Sequence, residues 1–95
     1  MTGGELAGVV RSTLERSWAE GERDDVRFAY TRPSPGRYPW QWYWDSCFAA
    51  IARRRFDPER SRAELESLLA AADPDGFIGH TIFWEHPVSL SRSVY

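Results

Sequence analysis

The chain has 95 residues, which fit one small domain with a modest core. With 42% hydrophobic and 15% aromatic residues it is too apolar to be a disordered segment. The net charge of −2, from 12 basic and 14 acidic residues, gives no basic footprint for nucleic acid. The aromatic side chains are bulky for so small a body, so we expect them to line a site or to meet protein outside the chain.

The cysteine content and hydropathy bear on the cellular setting. The single cysteine, Cys47, cannot form an internal disulfide, and no basic and apolar leader or long apolar span occurs. We therefore expect a cytoplasmic protein that does not enter a membrane. Cys47 lies in the apolar run 47–51 with no adjacent base, which predicts a small core residue rather than a nucleophile.

The first predicted element is a helix over residues 4–19. Thr2 and Glu5 have the spacing of a capping box at its start. Side chains recur with helical period after it, at Leu6, Val9, Val10, Thr13, Leu14, Ser17 and Trp18.

A long irregular connection is predicted for residues 21–36. It begins with the charged run 22–25 and continues through Pro33, Pro35 and Gly36, which cannot sustain a helix. Loops of this length in compact domains are usually functional, and this one leads directly to an aromatic cluster. We expect the loop and the cluster to form one functional unit.

The aromatic cluster, residues 38–45, has tryptophan at alternate positions: Trp40, Trp42 and Trp44. An extended segment would place them on one face, with Gln41, Tyr43 and Asp45 on the other, whereas a turn would let both sets converge. Indole faces suit the C–H faces of sugar rings, while the polar groups of Asp and Gln suit sugar hydroxyls. The cluster therefore indicates sugar binding.

Each residue of this cluster also has a structural interpretation. Tryptophans are often simply large core residues. Asp45 precedes a predicted helix, where aspartate is a common N-cap, and one residue can both cap and bind.

Two further helices are predicted, over about 45–55 and about 58–72. In the first, Phe48, Ile51 and Ala52 form one stripe, and the arginines 53–55 are expected to be solvated at its end. In the second, Asp57 is the expected N-cap and Pro58 the first helical residue.

The buried stripe of this third helix is predicted at Leu65, Leu68, Leu69 and Ala72. Only two residues separate the second and third helices, which predicts an antiparallel αα-hairpin.

The last apolar segment, residues 77–84, is short and partly β-prone. His80, within this segment, can also be interpreted as a structural histidine held by hydrogen bonds. The group His80, Glu85 and His86 fits no zinc-binding spacing, so we expect no metal and no other cofactor.

Four blocks of the sequence follow one another within about 28–84: residues 38–48, 56–60, 64–69 and 75–80. In order and spacing these blocks resemble the N-terminal region of (α/α)6-barrel glycoside hydrolases. The resemblance is to glycoside hydrolase family 63 and its relatives, including mannosylglycerate hydrolase-like enzymes, bacterial α-glucosidases and amylo-1,6-glucosidase-like proteins. It implies an all-α fold, an incomplete (α/α)6 toroid of about three helices with long aromatic loops, and a chain, 1–95, that is an N-terminal fragment of the barrel domain.

The resemblance also implies which residues contact the sugar. The pattern of Tyr38, Trp42, Trp44 and Asp45 matches the family's sugar-contacting loop, in which the aspartate binds hydroxyls rather than acting as acid or base. Gln41 lies within this loop, and His80 matches a histidine near the sugar, although Gly79 stands where the family usually has proline. Trp40 falls where relatives often carry a smaller residue, so its contact is expected to be weaker.

Enzymes of this family invert the anomeric centre with one carboxylic acid and one carboxylate. The resemblance places both in later barrel loops, so no catalytic residue is assigned here. A pair of Asp45 and Glu85 is disfavoured because Asp45 already has a binding role and Glu85 lies beyond the matched blocks. The chain alone is expected to be inactive, as a truncated gene product, an incomplete reading frame or part of a split protein that needs the rest of the barrel.

A second hypothesis is a small helical interaction module whose aromatic patch docks on a protein partner. Downstream coding sequence with further helical hairpins would favour the hydrolase. A sugar titration tests binding directly.

Overall fold

The computed structural model describes residues 2–84 and the strand at 93–94. Its helices are α1 (Gly3–Arg16), α2 (Tyr43–Arg53) and α3 (Pro58–Ala70). Its strands are β1 (Trp18–Arg23), β2 (Val26–Thr31), β3 (Gln41–Trp42), β4 (Thr81–Ile82) and β5 (Ser93–Val94).

The all-α prediction is wrong, because the strands form two small antiparallel sheets, β1-β2 and β3-β4-β5. Most of the predicted irregular connection 21–36 belongs to the first sheet. Three helices are also too few to show a six-hairpin toroid.

The β1-β2 hairpin forms because its turn and its side-chain pattern agree. Asp24 and Asp25 connect the strands with φ angles of 53° and 66°, the left-handed values that the favoured two-residue hairpin turns require. Phe28 and Tyr30 alternate with more exposed residues along β2 and are buried. A Cβ atom on Gly21 would lie 2.7 Å from the Phe28 ring, so glycine at this position lets the ring cross the opposite strand.

Helix α1 begins as predicted but ends earlier. The Thr2 hydroxyl accepts a hydrogen bond from the Glu5 N–H over 3.1 Å, which confirms the predicted cap. The helix ends at Arg16, and Trp18 already belongs to β1 rather than to the predicted helix over 4–19. No residue of α1 is buried.

Helices α2 and α3 pack against each other as predicted, and Asp57 caps α3 by accepting from the Arg60 N–H. Their predicted apolar stripes are wrong except at Leu68, which is buried. In α2 the exposed positions include Phe48 and Ile51, whereas the buried ones are Ser46, Ala50 and Arg53. In α3 the buried residues are Ser61, Glu64, Ser67 and Leu68.

The polar face of α3 turns inward because it completes the open edge of β2. The N–H of Ala29 donates to the Ser67 hydroxyl over 2.6 Å, and the N–H of Thr31 donates to Glu64 Oε2 over 2.8 Å. Backbone donors that would otherwise be buried without partners are satisfied in this way.

The hydrophobic core lies between the hairpin, α3 and β4. It consists of Phe28, Tyr30, Leu68, Ala71, Ile82 and Trp84, with Cys47 packed partly buried against it. Phe28 and Trp84 stack with ring centroids 5.3 Å apart. Within the described residues, no helix is both long enough and apolar enough to cross a membrane.

Candidate sugar-binding pocket

A shallow pocket of about 260 Å³ opens where the loop before β3, the start of α2 and the segment before β4 meet. It is lined by Pro33, Tyr38, Trp42, Trp44, Asp45 and His80. Five of the six residues predicted to bind sugar therefore converge on one cavity.

Backbone hydrogen bonds bring the three segments together. Tyr38 closes a tight turn by donating its N–H to the Ser34 carbonyl over 2.9 Å. The second sheet pairs Trp42 with Thr81, and the Tyr43 N–H donates to the His80 carbonyl over 2.8 Å. The β-prone segment is thus held beside the aromatic cluster, which places His80 next to it.

The aromatic rings of the pocket pack edge to face. The His80 ring lies 5.4 Å from the Trp42 ring and 5.5 Å from the Trp44 ring, with interplanar angles of 75° and 83°. Tyr38 meets Trp42 in the same manner, with centroids 6.2 Å apart. Such contacts stabilise ring orientation and leave other ring faces open to a ligand.

Trp44 and Tyr38 carry most of the open aromatic surface, since they are 61% and 48% exposed. Trp42 is half-buried, and its indole N–H has no hydrogen-bond partner among the described residues. Trp40 lies outside the pocket, packed edge-on against Phe83 with centroids 5.3 Å apart.

Asp45 is the acidic residue of the pocket. Helix α2 begins at Tyr43, with Trp42 in the N-cap position, so Asp45 lies in the first turn and does not cap the helix. It is half-buried, and none of the described residues forms a hydrogen bond or an ion pair with its carboxylate. The helix dipole stabilises a negative charge at this position, and the carboxylate remains available to accept hydrogen bonds from hydroxyl groups.

Gln41 does not line the pocket. Its side chain is completely buried, and its Oε1 atom accepts a hydrogen bond from Trp84 Nε1 over 2.7 Å. Its Nε2 atom donates to Ser46 Oγ over 2.9 Å. The structure therefore separates Gln41 from the other five residues predicted to bind sugar.

A buried polar network that the sequence did not reveal connects α2, α3 and β2. Arg53, predicted to be solvated, is fully buried with Glu64, and Arg53 Nη2 donates to the Leu14 carbonyl over 2.5 Å. The Arg53 guanidinium also lies over the Trp18 ring at 4.7 Å. The sequence carried one signal for this network, because Ser61, Glu64 and Ser67 recur at three-residue spacing and so form a polar face on α3.

Burial perturbs both charged groups of this network. Desolvation raises the pKa of Glu64, although hydrogen bonds from Thr31 and Ser46 and the charge of Arg53 oppose the increase. Desolvation likewise lowers the pKa of Arg53. The two side chains approach to 4.0 Å between Arg53 Nε and Glu64 Oε1.

Among the described residues, no cluster of three or more histidine, cysteine, aspartate or glutamate side chains can hold a metal ion. Glu85 and His86, considered with His80 as a metal group and with Asp45 as a catalytic pair, lie outside the described residues.

Exposed aromatic faces around an unengaged carboxylate are typical of a carbohydrate-binding pocket. Comparison with known proteins assigns the family. The sequence profile of the mannosylglycerate hydrolase MGH1-like glycoside hydrolase domain matches residues 38–94, more than half of the chain. The chain belongs to this family of glycoside hydrolase domains.

Curated relatives of this chain are named mannosylglycerate hydrolase or glucosylglycerate hydrolase. A mannosylglycerate hydrolase of Rubrobacter radiotolerans is 41% identical over 79 residues, covering 83% of this chain and 16% of the relative. A mannosylglycerate hydrolase of Thermus thermophilus is 43% identical over 60 residues, 62% of this chain and 14% of the relative. A glucosylglycerate hydrolase of Mycolicibacterium hassiacum is 40% identical over 53 residues, 56% of this chain and 12% of the relative.

The matched regions thus span only 12–16% of the length of these relatives. No solved structure gives a significant match to the chain.

Proposed function

We propose that this chain forms one wall of the substrate pocket of a glycosidase that cleaves mannosylglycerate, glucosylglycerate or a closely related α-glycoside with inversion. Family membership and the names of the relatives support a sugar substrate. The observation that carries the proposal is the convergence of Tyr38, Trp42, Trp44, Asp45 and His80 on one pocket, with the Asp45 carboxylate unengaged by the described residues.

The proposed roles follow from the chemistry of each side chain. The open face of Trp44 stacks on the C–H face of the sugar ring, with Tyr38 at the rim. Asp45 accepts hydrogen bonds from two neighbouring hydroxyls, since an ionised carboxylate has only acceptor sites. His80, fixed between two indoles, contributes a further hydrogen bond.

The pocket wall alone lacks the groups for hydrolysis. An inverting enzyme needs two carboxyl groups about 6.5–9.5 Å apart, on opposite sides of the scissile bond. Asp45 is the one acidic residue among those that line the pocket. We therefore assign binding to this chain and the acid and base to other parts of the glycosidase.

A titration with methyl α-D-mannopyranoside, followed by tryptophan fluorescence, tests the proposal. Trp44→Ala removes the stacking ring and is expected to weaken binding by about tenfold, since one stacked ring contributes about 1–1.5 kcal/mol. Trp40→Ala is the matched control, because Trp40 lies outside the pocket, and should change the affinity less than twofold. Equal losses in the two variants would contradict the proposed site.

A protein-docking module is the second candidate. Phe48 and Leu69 favour it, since these large side chains are 67% and 69% exposed. In the hydrolase proposal the same side chains pack against further parts of the enzyme. A chain that binds a protein partner but no glycoside would favour the docking module.

A further inference from the structure

Two completely buried polar residues, Gln41 and Ser46, bracket the pocket segment 42–45. The Gln41 Nε2 atom donates to the Ser46 hydroxyl over 2.9 Å, so this hydrogen bond spans the turn from β3 into α2. Trp42, Trp44 and Asp45 all lie inside the loop that the bond closes. The geometry of this bond therefore constrains where these side chains leave the backbone.

The first turn of α2 depends on this bond because the helix has no side-chain cap. Trp42 occupies the N-cap position and makes no capping hydrogen bond. Gln41 is fixed in turn by Trp84, whose indole N–H donates to its Oε1, and by the Glu64 carbonyl, 3.3 Å from its Nε2. The start of α2 is thus tied to the core and to α3.

The direction of the hydrogen bonds is also determined. An indole N–H can only donate, so the Gln41 oxygen must face Trp84 and its NH₂ group must face Ser46. The Ser46 hydroxyl in turn stabilises the charged form of the Glu64 carboxylate, which accepts a hydrogen bond from the Thr31 hydroxyl over 2.7 Å. A flip of the Gln41 amide would turn its NH₂ group toward the Trp84 N–H, so the amide cannot flip without breaking buried hydrogen bonds.

We propose that Gln41 and Ser46 are positioning residues, which hold segment 42–45 in its sugar-binding shape without touching the sugar. The expected effect of these residues on sugar affinity rests on the proposed function, whereas their effect on the shape of segment 42–45 does not. It replaces the sequence-based prediction of a direct sugar contact by Gln41, whose side chain is fully buried.

The first test needs no sugar. Ring currents from Trp42 and Trp44 set the chemical shifts of the His80 ring protons, which NMR measures. Ser46→Ala is expected to shift these signals. Ser67→Ala is the matched control, because Ser67 is also buried and accepts a hydrogen bond from Ala29, and neither residue lines the pocket. Unchanged His80 signals in Ser46→Ala would overturn the proposal.

Gln41→Met gives an independent variant should Ser46→Ala not fold. Methionine keeps the side-chain length and removes every amide hydrogen bond. Positioning predicts shifted His80 signals together with weaker sugar binding. Weaker binding with unchanged His80 signals would show a direct contact and overturn the proposal.

A titration with methyl α-D-mannopyranoside completes the test. Ser46→Ala should weaken binding about fivefold, as expected for one lost buried hydrogen bond, and Ser67→Ala less than twofold. Wild-type affinity in Ser46→Ala would overturn the proposal. If the wild-type chain binds no sugar while Ser46→Ala shifts the His80 signals, positioning of the segment stands and the proposed function fails.

Discussion

Asp45 lies two residues beyond the first residue of α2, and this offset decides its role. An N-cap carboxylate would be engaged by backbone N–H groups of the first turn. Asp45 instead lies within that turn, where the helix dipole favours its charge and no described residue binds its oxygens. The same residue type at position 57 does cap a helix, because it directly precedes Pro58.

Glu64 has the opposite environment, because its carboxylate is completely buried. Desolvation raises its pKa above the ordinary value of 4.5 despite hydrogen bonds that favour the charged form. The folded state therefore binds the Glu64 proton more tightly than the unfolded state. Its contribution to stability is fully present below pH 4.5 and is lost as the pH rises through the raised pKa.

Glu64→Gln is expected to remove this pH dependence. Relative to the variant, the wild-type chain should lose stability as the pH rises from about 4 to about 8, because only the wild type carries the titrating group. Urea unfolding of both proteins across this range measures the difference. Glu66→Gln, at an exposed position of the same helix, is the control for the substitution of glutamate by glutamine. A wild-type chain that gains stability relative to Glu64→Gln with rising pH would contradict the raised pKa.

At the scale of elements, α3 shows why periodicity alone mispredicted the buried stripe. Leu65 and Leu69 have helical spacing, yet the hairpin edge selects the neighbouring polar face, where Glu64 and Ser67 satisfy backbone donors of β2. A buried unpaired N–H costs about 1–3 kcal/mol, which is comparable to the free energy that burying one leucine side chain contributes. Leu68 alone of the predicted stripe within α3 is buried.

Leucine-to-alanine substitutions at adjacent positions of α3 test this orientation. Leu68 is 4% exposed and Leu69 is 69% exposed. Leu68→Ala should destabilise the chain by about 2–3 kcal/mol, and Leu69→Ala by less than about 0.5 kcal/mol. Thermal and chemical unfolding provide the measurement, with the adjacent substitution as the control. A larger loss from Leu69→Ala would support the stripe predicted from the sequence instead.

The starts of α1 and α3 and five of the residues that line the pocket were predictable, because local sequence patterns mark them. Thr2 and Asp57 cap helices by side-chain chemistry that the sequence displays directly. The hairpin was missed because charged residues and prolines indicated a loop, although Phe28 and Tyr30 alternate with less buried positions. The role of Gln41 required the partners Trp84 and Glu64, which are distant in sequence and meet only in the fold.

At the scale of the whole molecule, the helices leave apolar side chains on the surface. Leu6 and Val9 of α1, Ile51 and Phe48 of α2, and Leu69 of α3 are each more than 50% exposed. These surfaces fit a chain whose relatives are several times longer, where further protein can cover them.

We expect the isolated chain to associate through these surfaces. The double variant Phe48→Ser with Leu69→Ser should reduce the association measured by sedimentation velocity, because it removes the two large apolar side chains that are most exposed among the described residues. The double variant Glu59→Ser with Arg62→Ser alters exposed polar positions of α3 and serves as the control. A compact wild-type monomer across the accessible concentration range would contradict this expectation.

The most direct test of the sugar pocket is NMR titration of wild-type and Asp45→Asn chains with methyl α-D-mannopyranoside. The account predicts saturable shifts of the Trp44 indole and His80 ring signals in the wild type, with affinity about tenfold lower in Asp45→Asn because a charged acceptor is lost. Asp25→Asn, in the distant hairpin turn, should bind as the wild type does. A folded wild-type chain whose Trp44 and His80 signals do not respond to the sugar, or an Asp45→Asn variant with unchanged affinity, would contradict the account.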